Sequence, residues 1–406
     1  MVAFHVMTSI RHDYRGCTRR LWPILCVCLL IPRMGAAQTP PQDPPAQSPA
    51  PPPEAQKPWW QTISFGGDFR LRFETFRLRE TPDRNRARFR LRLEGHADVD
   101  PDLSLHFRLA TGNPADPTTS NQTFKGFLTK KPFAVDYAFA SYHPDGAKGL
   151  TFVGGKFEPP NPKTDMTWEE NINWEGGYEQ YESPGSRPVS IRLVASQVSL
   201  DEVEAGADSF MFANSGQLIF HSGAHSFSVS LTDQFFHNAD LVALAVRDGV
   251  LDTRNTNLVT LGTGGQVTGF QSEFHLVDVL GRGVLDTGAP QYPLKVTADL
   301  VTNLRAASDQ NRGVWLAGAY GLAEQPKTVS LSYTFADIQQ EAVLSPFTFD
   351  PLPGSNIRMN MVEFSFMPKA RRNIDVNAIF YKPLVVPAGQ GRPLMKDLQF
   401  SFRFTF

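Results

Sequence analysis

Cysteine is almost missing from this 406-residue chain: its three copies, Cys17, Cys26 and Cys28, all fall within the first 28 positions. Beyond them, a disulfide framework and a thiolate metal site are both excluded. Charge of one sign is also lacking. The 39 basic and 41 acidic residues give a formal net charge of −2, so bulk charge does not argue for nucleic acid. Catalytic signatures are absent: there is no G-x-S-x-G, no H-E-x-x-H, no phosphate-cradling glycine loop and no EF-hand spacing. His221 and His225 form an isolated H-x-x-x-H across an expected turn, too few ligands for a metal site. The sequence assigns no catalytic residue, no cofactor and no metal, and it argues against an enzyme.

What is present begins with a leader. Arg11, Arg15, Arg19 and Arg20 precede the apolar run Leu21–Ile31, and Gly35, Ala36 and Ala37 offer small residues for cleavage. Eleven residues rise only about 16 Å as a helix, too short for a hydrocarbon core of roughly 30 Å. Residues 1–37 therefore read as a signal peptide. Removing them takes five basic and one acidic residue from 39 and 41, leaving 34 and 40 and a net charge of −6. Residues 38–60 follow as a linker; nine prolines within 38–58 keep it extended. Trp59 and Trp60 close it, at the edge of the main domain.

From residue 61 to 406 no helical period persists, and segments of alternating polarity recur between turn residues. Phe69, Leu71 and Phe73 alternate with Arg70, Arg72 and Glu74. Ala87, Phe89, Leu91 and Leu93 alternate with Arg86, Arg88, Arg90 and Arg92, and Leu398 to Phe406 repeat the pattern at the end. Short turns near 100–102, 144–149, 183–187, 222–225, 324–326 and 368–372 are interleaved with longer connections near 112–132, 159–173, 237–262, 338–355 and 385–394. That alternation predicts an all-β, antiparallel up-and-down transmembrane barrel of about 16 strands, with 14 or 18 as alternatives. The stretch 237–290 leaves Leu241–Val246 open as a strand, a loop helix or a segment in the lumen. The Phe- and Leu-rich face must meet lipid, because its partner face carries arginines and carboxylates that require water.

Gly67-Asp68-Phe69-Arg70-Leu71-Arg72 and Arg86–Gly95 resemble the first two strands of the bacterial putative porin family. Arg108-Leu109-Ala110-Thr111-Gly112 and Ser120-Asn121-Gln122-Thr123-Phe124 resemble its third strand and first long loop. The resemblance is specific over residues 64–182 and generic beyond. It implies a channel in the outer membrane of a Gram-negative bacterium, surrounded by outer-membrane lipid and open to small hydrophilic solutes. It also makes Phe406 the terminal signal read by the barrel assembly machinery, and leaves a homotrimer open. Alginate-type polysaccharide export and a structural or adhesion barrel remain alternative functions.

The arginines carry the functional reading. Arg84, Arg86, Arg88, Arg90 and Arg92 share one strand face, and like charges so stacked require water, anions or neighbouring carboxylates. With Arg70, Arg72, Arg108 and Arg403 they form an expected pore-lining wall. A hairpin centred near Pro82 would set Arg72 opposite Arg92, Arg70 opposite Glu94 and Glu74 opposite Arg90. A bulge near Thr75 would disturb this pairing, since Phe76 and Leu78 reverse the apolar phase. Asp68, Glu74 and Glu94 can offset part of the wall, which leaves Arg72, Arg88 and Arg92 as the least neutralised. Asp165, Glu169, Glu170 and Glu175 are the expected constriction loop facing it, which would create a transverse field.

Overall fold

The computed structural model describes residues 60, 62–78, 81–185 and 188–406. The expected signal peptide and all of the linker except Trp60 lie outside the described residues. The chain forms β1 (Ser64–Leu78), β2 (Arg84–Asp98), β3 (Leu103–Thr111), the two-residue β4 (Gln122–Thr123), β5 (Phe133–Tyr142), β6 (Leu150–Phe157), β7 (Trp174–Glu182), β8 (Val189–Asp201), β9 (Ser209–Ser222) and β10 (His225–His237). Helix α1 (Asp240–Arg247) and the hairpin β11 (Val259–Leu261) and β12 (Val267–Phe270) come next. Then follow β13 (His275–Leu285), β14 (Leu294–Asn303), β15 (Arg312–Gly321), β16 (Thr328–Ile338), β17 (Ile357–Lys369), β18 (Arg372–Pro383) and β19 (Met395–Thr405).

Sixteen of these strands close into an antiparallel barrel. Each pairs with its neighbours in sequence order, and β19 returns to pair with β1 from Asp68↔Thr405 to Leu78↔Met395. β4 extends the edge of β3 alongside β2, at Arg88↔Thr123. The hairpin β11–β12 stands apart from the barrel sheet. At the seam, the Gly67 and Phe406 backbones exchange hydrogen bonds of 3.2 and 3.1 Å. A Cβ on Gly67 would fall 2.1 Å from the Arg92 carbonyl oxygen, so this closely packed corner requires glycine. The stretch Leu241–Val246, left open by the sequence, is helical and lies within the long connection between β10 and β13.

Burial is inverted relative to a water-soluble barrel. Phe73, Leu231 and Leu331 are 50%, 55% and 54% exposed on the outer face, whereas Glu74, Ser196 and Asp299 are fully buried inside. Such a band of outward Phe and Leu is stable only against hydrocarbon, where the closed ladder leaves no backbone group unpaired. One end carries short turns; the other carries the long connections 112–132, 158–173, 238–274, 339–356 and 384–394.

Three of these connections fold inward and build an apolar cluster within the barrel. Trp168 stacks on Phe347 at 5.2 Å and on Phe236 at 6.1 Å, and meets Trp174 edge-on at 5.2 Å. Phe157, Met166, Met211, Phe274, Ile338 and Met359 complete it, all buried. Each such side chain contributes about 1.5–3 kcal/mol through burial. Two backbone bonds clip loops 158–173 and 339–356 together: Glu169 N–H to Phe347 O at 2.9 Å, and Phe349 N–H to Asp165 O at 3.1 Å.

Candidate functional site: the lumen between the arginine wall and the inward loop

The wall is set by the register of three strands. β1 and β2 pair Asp68↔Arg92, Arg70↔Arg90, Arg72↔Arg88 and Glu74↔Arg86, while β19 sets Arg403 beside Arg70. Period-2 alternation sends all of these inward, since Phe69, Leu71 and Phe73 face out. The pairing is centred two residues before the Pro82 hairpin expected from sequence, so Arg72 meets Arg88 rather than Arg92. The expected bulge near Thr75 is also absent: β1 runs in unbroken register with β2 and β19. Phe76 and Leu78 therefore keep the inward phase. The misfit is absorbed by cation–π stacking, with the Arg86 guanidinium 4.6 Å from the Phe76 ring centre.

Two buried carboxylates organise the arginines. Asp68 accepts from Arg90 at 2.9 Å and from Arg92 at 2.5 Å. Glu74 pairs with Arg86, with Arg88 at 3.4 Å and with Arg72 at 3.6 Å. Arg88 also approaches Asp350 of loop 339–356 at 3.7 Å. Arg72, Arg88 and Arg92 are thus each paired, contrary to the sequence expectation. Arg70 is the exception: its Nη2 donates to the Asn121 amide oxygen at 2.8 Å, and its Nε is buried without a partner. Asn121 belongs to the long loop before β5, so loop residues complete the wall. Glu94 does lie opposite Arg108, yet Arg108 binds Asp136 at 2.6 Å and Glu158 at 2.8 Å.

The wall is not uniformly wet. Arg88 and Arg90 are sealed, at 5% and 2% exposure, Arg88 beneath Thr119, Asn121 and Asp350 and Arg90 against Asp68. Arg72, Arg86 and Arg92 are partly open, and the side chain of Arg403, 3.7 Å from Asp375, is 39% exposed. Arg84 lies at the exposed loop end of β2. A cavity of about 760 Å³ opens there, lined by Arg84, Arg86, Arg88, Lys125, Asp116 and Asp350 among others.

Loop 158–173 crosses to the far side. Thr164 donates to Asp299 on β14, Arg282 on β13 donates to Lys163 O, and the Trp168 indole donates to Gln234 on β10 at 2.6 Å. Glu170 is exposed and lies within electrostatic reach of Arg70 and Arg90. Asp165 touches water but sits deep in protein; burial pushes its carboxyl up to about 7, against the pull of Lys163. Glu169 is buried, and its carboxylate accepts from the Asn171 backbone and amide, which holds the loop's shape. Burial raises its pKa, and Asp165 and Glu170 add to the rise. Glu175 corrects the sequence expectation: it lies on the outward face of β7, paired with Lys156 at 2.6 Å, because strand alternation has already begun at Trp174. Among the described residues, no cluster of three or more His, Cys, Asp or Glu is arranged to hold a metal.

Residues 76–194 match the model of the putative porin family. That segment overlaps the part of the chain where the resemblance is specific, and covers under a third of the whole. No curated protein matches the chain. Among solved structures, Pseudomonas putida OprB aligns over 86% of this chain and 95% of its own, with a TM-score of 0.55 at 9% identity. Salmonella typhi OmpF, in a complex with daunomycin, aligns over 84% and 97%, with a TM-score of 0.51 at 9% identity. At such identity the likeness shows a shared fold, the closed 16-stranded antiparallel barrel. Family match and fold together point to an outer-membrane channel.

Proposed function

We propose that this chain is a passive outer-membrane diffusion channel for small hydrophilic solutes, with a mild preference for anions and zwitterions. The observation that carries the reading is the cross-strand row Arg403–Arg70–Arg90, in which Arg70 has no carboxylate partner among the described residues while Glu170 of the loop lies within electrostatic reach. Ions sense charge within about 8 Å at physiological salt, so this row outweighs the net charge of −6 on the chain after residue 37. The inward loops occupy much of the loop-end lumen, which argues against passage of a polysaccharide. Lys156, Glu175, Glu179 and Gln197 place polar groups on the outer face of β6 to β8, where lipid alone would be a poor neighbour. That face supports assembly of copies, as in a homotrimer.

The decisive measurement is the zero-current potential of single channels in a salt gradient. Replacing Arg70, Arg72 and Arg403 with serine is expected to move it toward cations, with the shift shrinking as salt rises. An unchanged potential at low salt would remove these arginines from the conducting path.

A further inference from the structure

Behind loop 158–173, the inner wall holds two carboxylates that form no ion pair among the described residues. Asp278 on β13 and Asp299 on β14 are 1% and 0% exposed, and their carboxyl groups lie within hydrogen-bonding reach of each other. Both Asp278 oxygens and Asp299 Oδ1 lack a hydrogen-bond donor. Arg282 is near, but its Nη2 donates to the Lys163 carbonyl. Lys163 in turn donates to the Trp168 carbonyl at 2.8 Å.

A second and independent observation comes from β10. Thr232 is directly opposite Asp278 in the β10–β13 ladder, on the same inward face. Its hydroxyl is 1% exposed and has no partner. A hydroxyl beside two carboxylates would ordinarily donate to one of them. Here it donates to neither. A hard cation, held by oxygens at 2.3–2.6 Å, would take up the idle lone pairs of all three side chains. The Thr164 hydroxyl closes the group from the loop side, through its contact with Asp299.

We propose that Asp278, Asp299, Thr232 and Thr164 form a site for one divalent hard cation of the calcium type. Up to two oxygens from each carboxylate and one from each hydroxyl make an all-oxygen shell of mixed charge, as calcium prefers and softer metals do not. The ion would fasten loop 158–173 to the wall opposite the arginines. The inference stands apart from the channel reading, because it concerns how the loop is held and not what passes it.

Trp315 supplies the probe, since it lies opposite Asp299 in the β14–β15 ladder, on the same face. The full-length barrel in detergent, free of lipopolysaccharide and stripped with EDTA, is titrated with terbium(III) while tryptophan is excited. The expected result is saturable sensitised emission from one ion per chain, reversed by calcium. Asp278→Asn with Asp299→Asn should abolish it, while Thr232→Val should weaken it and leave the heat-shifted gel migration of the folded barrel intact. Removing an idle buried hydroxyl would be neutral or stabilising, so weaker binding in Thr232→Val is specific to a ligand role. No saturable emission from the parent protein, or full emission from the double variant, overturns the site. The pair is then neutralised by a shared proton. Failure here leaves the selectivity measurement untouched, and the reverse also holds.

Discussion

Strands β19, β1 and β2 and strands β13 to β17 obey the same alternation, yet fill their inward positions differently. The first group projects Arg403, Arg70, Arg72, Arg88 and Arg90, organised by Asp68 and Glu74. The second projects Leu276, Val301, Ile338 and Met359 near the loop end, with the buried pair Asp278 and Asp299 set among them, and is polar again toward the short turns, at Arg282, Thr297, Ser332 and Ser365. One side is held by charge, the other by packing against loops 158–173 and 339–356. The usual rule of polar inside and apolar outside therefore governs a barrel wall only where water, and not protein, fills the lumen.

The comparison breaks first at Glu74. This fully buried carboxylate serves Arg72, Arg86 and Arg88. Glu74→Ala leaves three guanidinium groups stacked without it, and breaking a buried ion pair costs about 3–5 kcal/mol. Urea unfolding of the barrel in detergent should show a marked loss. Parent-like stability would mean that water or Asp350 already neutralises the row.

On the apolar side, the corresponding residue is Trp168. It loses stacking on Phe347 and Phe236, the edge contact with Trp174 and the bond to Gln234 when cut to alanine. Aromatic truncation in a core costs about 3–5 kcal/mol. Here the low end is expected, since water from the lumen can fill the space. The loop should loosen, so conductance and open-channel noise should both rise. A variant with parent conductance would show that the loop's many other bonds suffice to hold it.

The contrast explains what the sequence disclosed. The outward Phe and Leu follow from period 2, and a count of about 16 strands, with 14 or 18 left open, follows from the alternation of short and long connections; both were legible. Register was not, because a shift of the hairpin centre by two residues preserves every inward and outward assignment while changing every partner. That is why Arg92, expected among the least neutralised, is bound to Asp68. The loop partners of the wall, Asn121 and Asp350, were hidden because they lie far from it in sequence. The apolar side had one overlooked signal: Trp168, Trp174 and Phe347 are large aromatics in and beside two long connections, of which the first was read for its carboxylates alone.

The smallest effect sharpens the comparison by changing charge without changing a residue. Asp165 sits between the two sides, its backbone carbonyl accepting from Phe349 at 3.1 Å. Burial, reinforced by Glu170 and Glu363 and opposed by Lys163 and Arg282, raises its pKa to about 7 from an ordinary 3.8. Between those values the folded chain holds a proton that the unfolded chain has released. Stability must therefore fall as pH rises through this window, with the full cost present above about pH 7. The same proton removes a negative charge from the loop facing the arginines. Lowering the pH from 8 to 6 should thus raise the melting temperature slightly and move the zero-current potential toward anions. Glu169, also raised by burial, adds to the stability trend in the same direction. Asp165→Asn should flatten the two profiles together around neutral pH. If only the melting profile flattens, Asp165 belongs to the packed side and its charge is hidden from the conducting path; if both do, the loop's charge acts on permeating ions.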